Sequence, residues 1–166
     1  MKPNTVGREL SGHVPPLRKE ISHVGLVSGT ILLTADGEIP VEYLSPGDRI
    51  VTRNAGLVPL VAIQTVRVSE EAVKIAAGSL GDMKPTHHAM VPAAQMVLVR
   101  DWRAQALRGA TQAVMPAGCL IDDEYITALG LRDMTLVRLG FAAPYVVYAD
   151  GLELSVPAMT RVRVPA

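Results

Sequence analysis

The chain has one cysteine, one phenylalanine and one tryptophan, and aromatic residues make up only 4% of its 166 positions. A single thiol, Cys119, excludes an internal disulfide framework and fits a reducing compartment. A core so short of rings must be aliphatic, and the 49% of hydrophobic residues supplies Val, Leu, Ile, Ala and Met for it. Charge of one sign is also lacking: 16 basic residues face 16 acidic ones, with no Lys/Arg run. That argues against a nucleic-acid groove. No apolar run approaches the ~18 residues that span a bilayer, and Met1–Thr5 has no apolar signal core. The expectation is a soluble, cytoplasmic protein with no membrane or nucleic-acid partner. Paired CxxC or HxxxH spacings are missing too. His87 and His88 are adjacent, so on an extended chain they point to opposite faces. His13 and His23 stand apart near the start. No metal and no cofactor is expected.

What is present reads as one β-rich domain. A chain of this length buries roughly 70% of its unfolded surface without a staple. Residues 1–24 carry Pro3, Pro15, Pro16 and mixed charges without sustained period, which reads as an arm or linker. Short strand signals follow at close intervals: Thr30–Thr34, Glu38–Leu44, Arg49–Arg53, Leu60–Val68, Ala72–Ala76, Met90–Pro92, Met96–Val99, Val114–Met115, Met134–Phe141, Tyr145–Ala149 and Leu152–Val156. Turn dipeptides separate them, among them Asp36-Gly37, expected at the centre of a hairpin, and Pro46-Gly47. Ala104–Leu107 and Tyr125–Leu129 read as single helical turns. The stretch Leu32–Glu38 echoes Val146–Leu152, either as a trace of pseudo-symmetry or as two ordinary hairpins. The domain is bounded at 25–160, with 161–166 as a tail.

Several pieces together resemble the Hint domain, the fold of inteins and Hedgehog autoprocessing domains, in its bacterial subfamily. Ser28-Gly29-Thr30, Asp36-Gly37, Pro40-Val41-Glu42, Leu44 and Pro46-Gly47-Asp48-Arg49-Ile50 stand in the order of its opening block. Val73–Leu80, Pro85, Val91, Leu98-Val99, Trp102-Arg103-Ala104, Val114–Ala117 and Tyr148–Gly151 continue it, so that the resemblance covers about residues 25–156. It implies a compact all-β fold of short strands with pseudo-two-fold related halves. It also implies a chemistry, in which a Cys or Ser attacks the preceding carbonyl and a Thr/Ser-x-x-His motif assists departure of the amide nitrogen.

The residues at those positions do not suit that chemistry. The nucleophile position falls on Gly25, which has no side chain. The Thr/Ser-x-x-His motif falls on Pro92-Ala93-Ala94-Gln95, where Pro92 lacks a hydroxyl and Gln95 does not titrate. The late Asp-x-His-like segment falls on Ala142-Ala143-Pro144, and the chain ends Arg163–Ala166 without a His-Asn junction. Cooperating catalytic groups are strongly non-additive, and losing one or two costs roughly 10⁴–10⁶ in rate. The expectation is a degenerate, inactive member that binds a protein partner or self-associates. The alternative is self-cleavage through Ser28 as a displaced nucleophile. Cys119 lies in an apolar run and reads as a buried small hydrophobe. Trp102 reads as core, and Asp122-Asp123-Glu124 as a solvated turn.

Overall fold

A computed structural model describes residues 24–159. The arm expected at 1–24 and the tail at 161–166 lie outside the described residues, Val24 excepted. In chain order the strands are β1 (Leu26–Val27), β2 (Ile31–Thr34), β3 (Gly37–Pro40), β4 (Arg49–Thr52), β5 (Gly56–Pro59), β6 (Ala62–Ile75), β7 (Ala89–Pro92), β8 (Met96–Val99), β9 (Ala113–Pro116), β10 (Ile126–Gly140), β11 (Tyr145–Ala149) and β12 (Leu152–Val156). One α-helix, α1 (Trp102–Arg108), stands among the described residues, and 3-10 turns cover Val41–Tyr43 and Ala117–Leu120. The architecture is the expected all-β one, in two sheets. The first has the order β1-β10-β6-β7. The second runs β3-β2-β4-β11-β12-β8-β9, with β5 on β4 and a further pairing of β2 with β11.

The two halves repeat each other in their hydrogen bonds. Leu26 and Val27 pair with Val137 and Leu136 of β10, and Val91 and Pro92 pair with Val73 and Ala72 of β6. Ser28 N–H donates to Thr135 O and Ala93 N–H to Glu71 O, both at 2.9 Å. Thr30 N–H reaches Val27 O and Gln95 N–H reaches Pro92 O, both at 3.0 Å. Val41 N–H then bonds Thr30 O (2.8 Å), and Ala117 N–H bonds Gln95 O (2.9 Å). The hairpins agree as well: Ile31↔Pro40 and Leu32↔Ile39 of β2–β3 match Met96↔Pro116 and Val97↔Met115 of β8–β9. In each half a proline in extended conformation leads into the 3-10 turn, Pro40 in one and Pro116 in the other. The turn buries Val41 and Leu44 in one case, Ala117 and Leu120 in the other. Leu32 of β2 pairs with Ala149 of β11, and Val97 of β8 with Leu154 of β12, so the β11–β12 hairpin sits between the halves. The repeat is therefore Leu26–Val41 against Val91–Ala117. The echo between Leu32–Glu38 and Val146–Leu152 joins two hairpins of one sheet and does not mark the repeat.

Several expectations are corrected. Leu60–Val68 and Ala72–Ala76 are one strand, β6, and Tyr125–Leu129 is not helical but mostly the start of β10. The polar run Ser69-Glu70-Glu71 broke the pattern because that part of the ladder projects from the core, with Glu70 opposite Arg132. The first hairpin turns on Ala35-Asp36, and Gly37 (φ 104°) is already in β3. Glu38–Leu44 splits at Pro40 into strand and 3-10 turn, and β5 was not foreseen.

The main core holds Leu32, Val41, Ile50, Val73, Ile75, Val97, Met115, Phe141 and Leu154. Its single phenylalanine is fully buried, edge-on to Tyr145 at 5.4 Å between centroids. A smaller cluster joins Ala72, Met134 and Leu136 with Val27, Val66, Val68 and Met90. That cluster forms because the first sheet curls until its outer strands β1 and β7 lie against each other. The curl brings the segment after Val24 beside the segment that ends in Gln95.

Candidate functional site

Gly25 is buried at the entrance to β1. A Cβ built there would lie 3.1 Å from Leu136 Cβ, 3.4 Å from Arg138 Cγ and 3.4 Å from Val137 O. A side chain at this position therefore needs Leu136 to give way. Arg138 is the charged group beside it, and its buried Nε has no hydrogen-bond partner.

Gln95 sits at the other side of the curl, 1% exposed. Its Nε2 carries two hydrogens, and both are used: one on Met96 O (3.1 Å), the other on Ser155 O (3.0 Å). The amide straps the start of β8 to β12 and presents no free donor. Pro92 ends β7, where its missing N–H falls at a strand end. Pro92, Ala93 and Ala94 line a shallow recess of about 290 Å³ together with Glu70 and Glu71. Ala142-Ala143-Pro144 links β10 to β11, and Pro144 O accepts from Asn54 Nδ2 at 3.4 Å.

Ser28 is exposed, with its N–H held by the first-sheet ladder and Gly29 N–H donating to Glu42 Oε1 (2.7 Å). Neither described histidine hydrogen-bonds to Ser28. His87 Nε2 lies 3.2 Å from Asp150 Oδ1, and His88 Nδ1 accepts from Ala77 N–H (3.0 Å). Among the described residues no group of three or more His, Cys, Asp or Glu side chains could hold a metal ion. No helix of the described residues is long and apolar enough to cross a membrane.

Two side chains stand opposite to expectation. Cys119 is exposed, because the 3-10 turn points Ala117 and Leu120 inward and leaves the intervening positions outside. Trp102 is 70% exposed as the first residue of α1, and Arg103 takes the buried place instead. Arg103 bonds Ser79 O (2.8 Å) and pairs with Asp101, which also caps the helix by accepting Arg103 N–H. Asp122 does lie in an exposed turn. Its Oδ1 accepts the N–H groups of Ile126, Glu124 and Tyr125. The Ile126 bond does most to lower its carboxyl from 3.8 to about 2; partial burial opposes, and the other two N–H groups and Arg103 add to the lowering.

A charged cluster escaped the sequence reading. Glu153 is 3% exposed in β12, and Arg53, Lys84 and Arg100 all converge on it. The available signal was an acidic residue between Leu152 and Leu154 in a strand that is otherwise buried.

With this geometry in hand, comparison with known proteins is direct. The family profile of the Hint domain matches residues 24–155. None of the curated proteins matches the chain in sequence. Among solved structures the chain is similar to the bacterial intein-like domain from Clostridium thermocellum, at 16% identity and TM-score 0.53, covering 80% of this chain and 97% of that one. It is similar also to a DnaB intein from Synechocystis sp. PCC 6803, at 12% identity and TM-score 0.52, covering 82% and 99%. The gp41-1 intein, at 12% identity and TM-score 0.50, covers 78% and 96%. At such identities the likeness is one of fold, whereas the profile spans most of the chain. The chain is a member of the Hint domain family.

Proposed function

We propose that this Hint domain does not rearrange its own backbone and acts instead as a protein-binding or assembly module. The observation that carries the reading is Gln95. Where the family resemblance places an imidazole, this chain has an amide whose two hydrogens are committed to Met96 O and Ser155 O. Proton delivery to a departing nitrogen needs a titratable group with a free proton in reach. Gly25 removes the attacking atom as well, and Leu136 Cβ crowds the Cβ that would carry it. What the scaffold keeps is the close approach of β1 to β7 and, at the end of β7, the shallow recess that Pro92, Ala93 and Ala94 line with Glu70 and Glu71. An open recess with small side chains suits an extended segment of a partner, or of a second copy.

Ser28 is the alternative nucleophile. It lies three residues beyond Gly25, which is about 10 Å of extended chain. A misplacement of even ~1 Å costs on the order of 10²-fold in rate.

The test is the intact mass of the full chain after incubation with a strong thiol or with hydroxylamine. The expected result is an unchanged mass. A fragment ending at or near residue 27 would overturn the reading in favour of Ser28. Light scattering of the same sample then separates self-association from binding of a different partner.

A further inference from the structure

We propose that the cavity between the 76–88 connection, the start of α1 and β12 binds a small oxyanion, a carboxylate or a phosphate. It involves other residues than the recess at Pro92–Ala94 and stands independently of the reading given for that recess.

The cavity measures about 220 Å³. Glu153 forms its floor, and Lys84 and Arg100 line it. Glu153 Oε1 takes Arg53 Nη1 at 3.1 Å and Lys84 Nζ at 3.6 Å, and Oε2 takes Arg100 Nε at 2.9 Å. One buried carboxylate balances one cation; Arg53 approaches Glu153 from outside the lining, so of the two cations that line the cavity, Lys84 and Arg100, one is in excess over Glu153. Arg100 spends only Nε on Glu153, and its two Nη groups have no hydrogen-bond partner among the described residues. A guanidinium edge with two parallel N–H groups is the donor geometry that fits a carboxylate or phosphate. Two further carboxylates line the space. Asp101 is held by Arg103, and Asp82 is exposed, as Arg100 is, so water screens both of these charges. The volume lies below the ~300 Å³ at which sites for drug-sized ligands begin, which restricts the ligand to a small anion or an anionic terminus.

Besides Leu98 and Val99 of β8, the walls of the cavity are built by segments that the first half lacks. In the first half β2 turns into β3 through two residues, but in the second the matching strands β8 and β9 are joined by residues 100–112, which carry Arg100, Asp101 and α1. The opposite wall is the connection between β6 and β7. There Asp82 (φ 50°) and Met83 (φ 60°) are successive non-glycine residues in the left-handed region. Met83 is 83% exposed, so no packing of its side chain explains that conformation. Leu80 N–H to Lys84 O and Lys84 N–H to Gly81 O, both 2.9 Å, close the turn and return Lys84 to Glu153. Unfavourable backbone held in place by its surroundings is characteristic of ligand sites.

The experiment is an NMR titration of the full chain with sodium phosphate and, separately, sodium acetate, at fixed ionic strength. Saturating shifts confined to residues 80–84, 98–101 and 152–153 are expected with at least one of the two. Phosphate alone points to a phosphorylated ligand, and acetate alone or both to a carboxylate. Arg100→Gln should weaken binding roughly tenfold, the worth of a charge-assisted pair of hydrogen bonds. Glu153→Gln keeps the shape and removes the competing negative charge, so binding should tighten. Shifts that fail to saturate by about 100 mM, a hundredfold above a millimolar dissociation constant, would overturn the proposal. So would shifts scattered over the surface. If Arg100→Gln does not fold, Glu153→Gln decides, and unchanged or weaker binding there also overturns it.

Discussion

Val27–Thr30 and Pro92–Gln95 share three main-chain hydrogen bonds, through the N–H of Ser28 and Ala93, the N–H of Thr30 and Gln95, and the O of Thr30 and Gln95, matched within about 0.1 Å, and share no side chain. One segment is Val-Ser-Gly-Thr and the other Pro-Ala-Ala-Gln. The comparison separates two jobs. Backbone donors and acceptors must be satisfied wherever they are buried, so the ladder contacts fix the path in both halves. Side chains at the turn are then free to differ, unless one has been recruited for something else. In the second half Gln95 has been recruited, as a strap to β12. In the first half Thr30, at the equivalent place, makes no comparable bridge among the contacts of the described residues.

The largest expected effect comes from breaking that asymmetry. Gln95→Leu leaves Met96 O and Ser155 O without their donor and should cost about 2–4 kcal/mol. Thr30→Val at the matching position should cost under about 1 kcal/mol. Urea denaturation of the two variants checks the contrast, and equal losses would show that the strap contributes nothing. Next, Gly25→Cys should cost about 1–3 kcal/mol through overpacking against Leu136. Combined with Leu136→Gly the losses should be less than additive, because that change removes the Cβ that a side chain at position 25 meets. Full additivity would mean that the close approach relaxes freely. That variant also prepares the chemical test: cleavage on joining Gly25→Cys with Pro92→Thr and Gln95→His would support a decayed autoprocessing site.

A third contrast lies just past the two 3-10 turns, where each half has an aspartate. Asp48 Oδ2 accepts one N–H, from Ser45 at 2.8 Å, whereas Asp122 Oδ1 accepts three. Asp122→Ala should therefore lose more than Asp48→Ala at neutral pH, roughly 1–2 kcal/mol for an exposed site. The carboxyl titrates near 2 when folded and at 3.8 by itself. Its stabilisation is complete well above 3.8 and disappears as the pH falls through 2. Melting curves at pH 7 and pH 2 should show the variant and the parent converging at the lower pH. The smallest effect is expected for Pro92→Thr alone, within about 0.5 kcal/mol, since Pro92 donates nothing that the ladder needs.

Much of the fold was legible in the sequence because short strands with alternating burial leave a pattern of period 2. β2 carries it in its burial and β12 in its sequence, Leu-Glu-Leu-Ser-Val, while β8 reads as a short apolar run; β8, β11 and β12 have the expected bounds. It fades where the middle of β6 leaves the core, which is why β6 read as two strands, and a register shift between Ala128 and Gly130 interrupts it in the first part of β10, which read as a helical turn. Gly25, Pro92 and Gln95 were legible as positions, through the order of the family's blocks. Their surroundings were not: the crowding by Leu136 and the hydrogen bond of Gln95 to Ser155 O depend on partners 60 or more residues away. Cys119 and Trp102 were misjudged for one reason. Each lies at the edge of a helical turn, where three residues per turn or a helix start decides what faces out, and apolar neighbours in sequence do not.

The β6–β10 ladder also has a consequence for how the chain reaches its fold. Every pair in it joins residues at least fifty positions apart, from Ile126↔Ile75 to Gly140↔Ala62. Closing such loops costs entropy before the contacts return it, so folding should be slow, on the scale of milliseconds to seconds. Neither half completes its own sheet, since β1 docks on the strand of the second half and β7 on that of the first. A nascent chain released before β10 emerges would expose β6 along its whole length, an open edge of 14 residues and a site for pairing with the wrong neighbour.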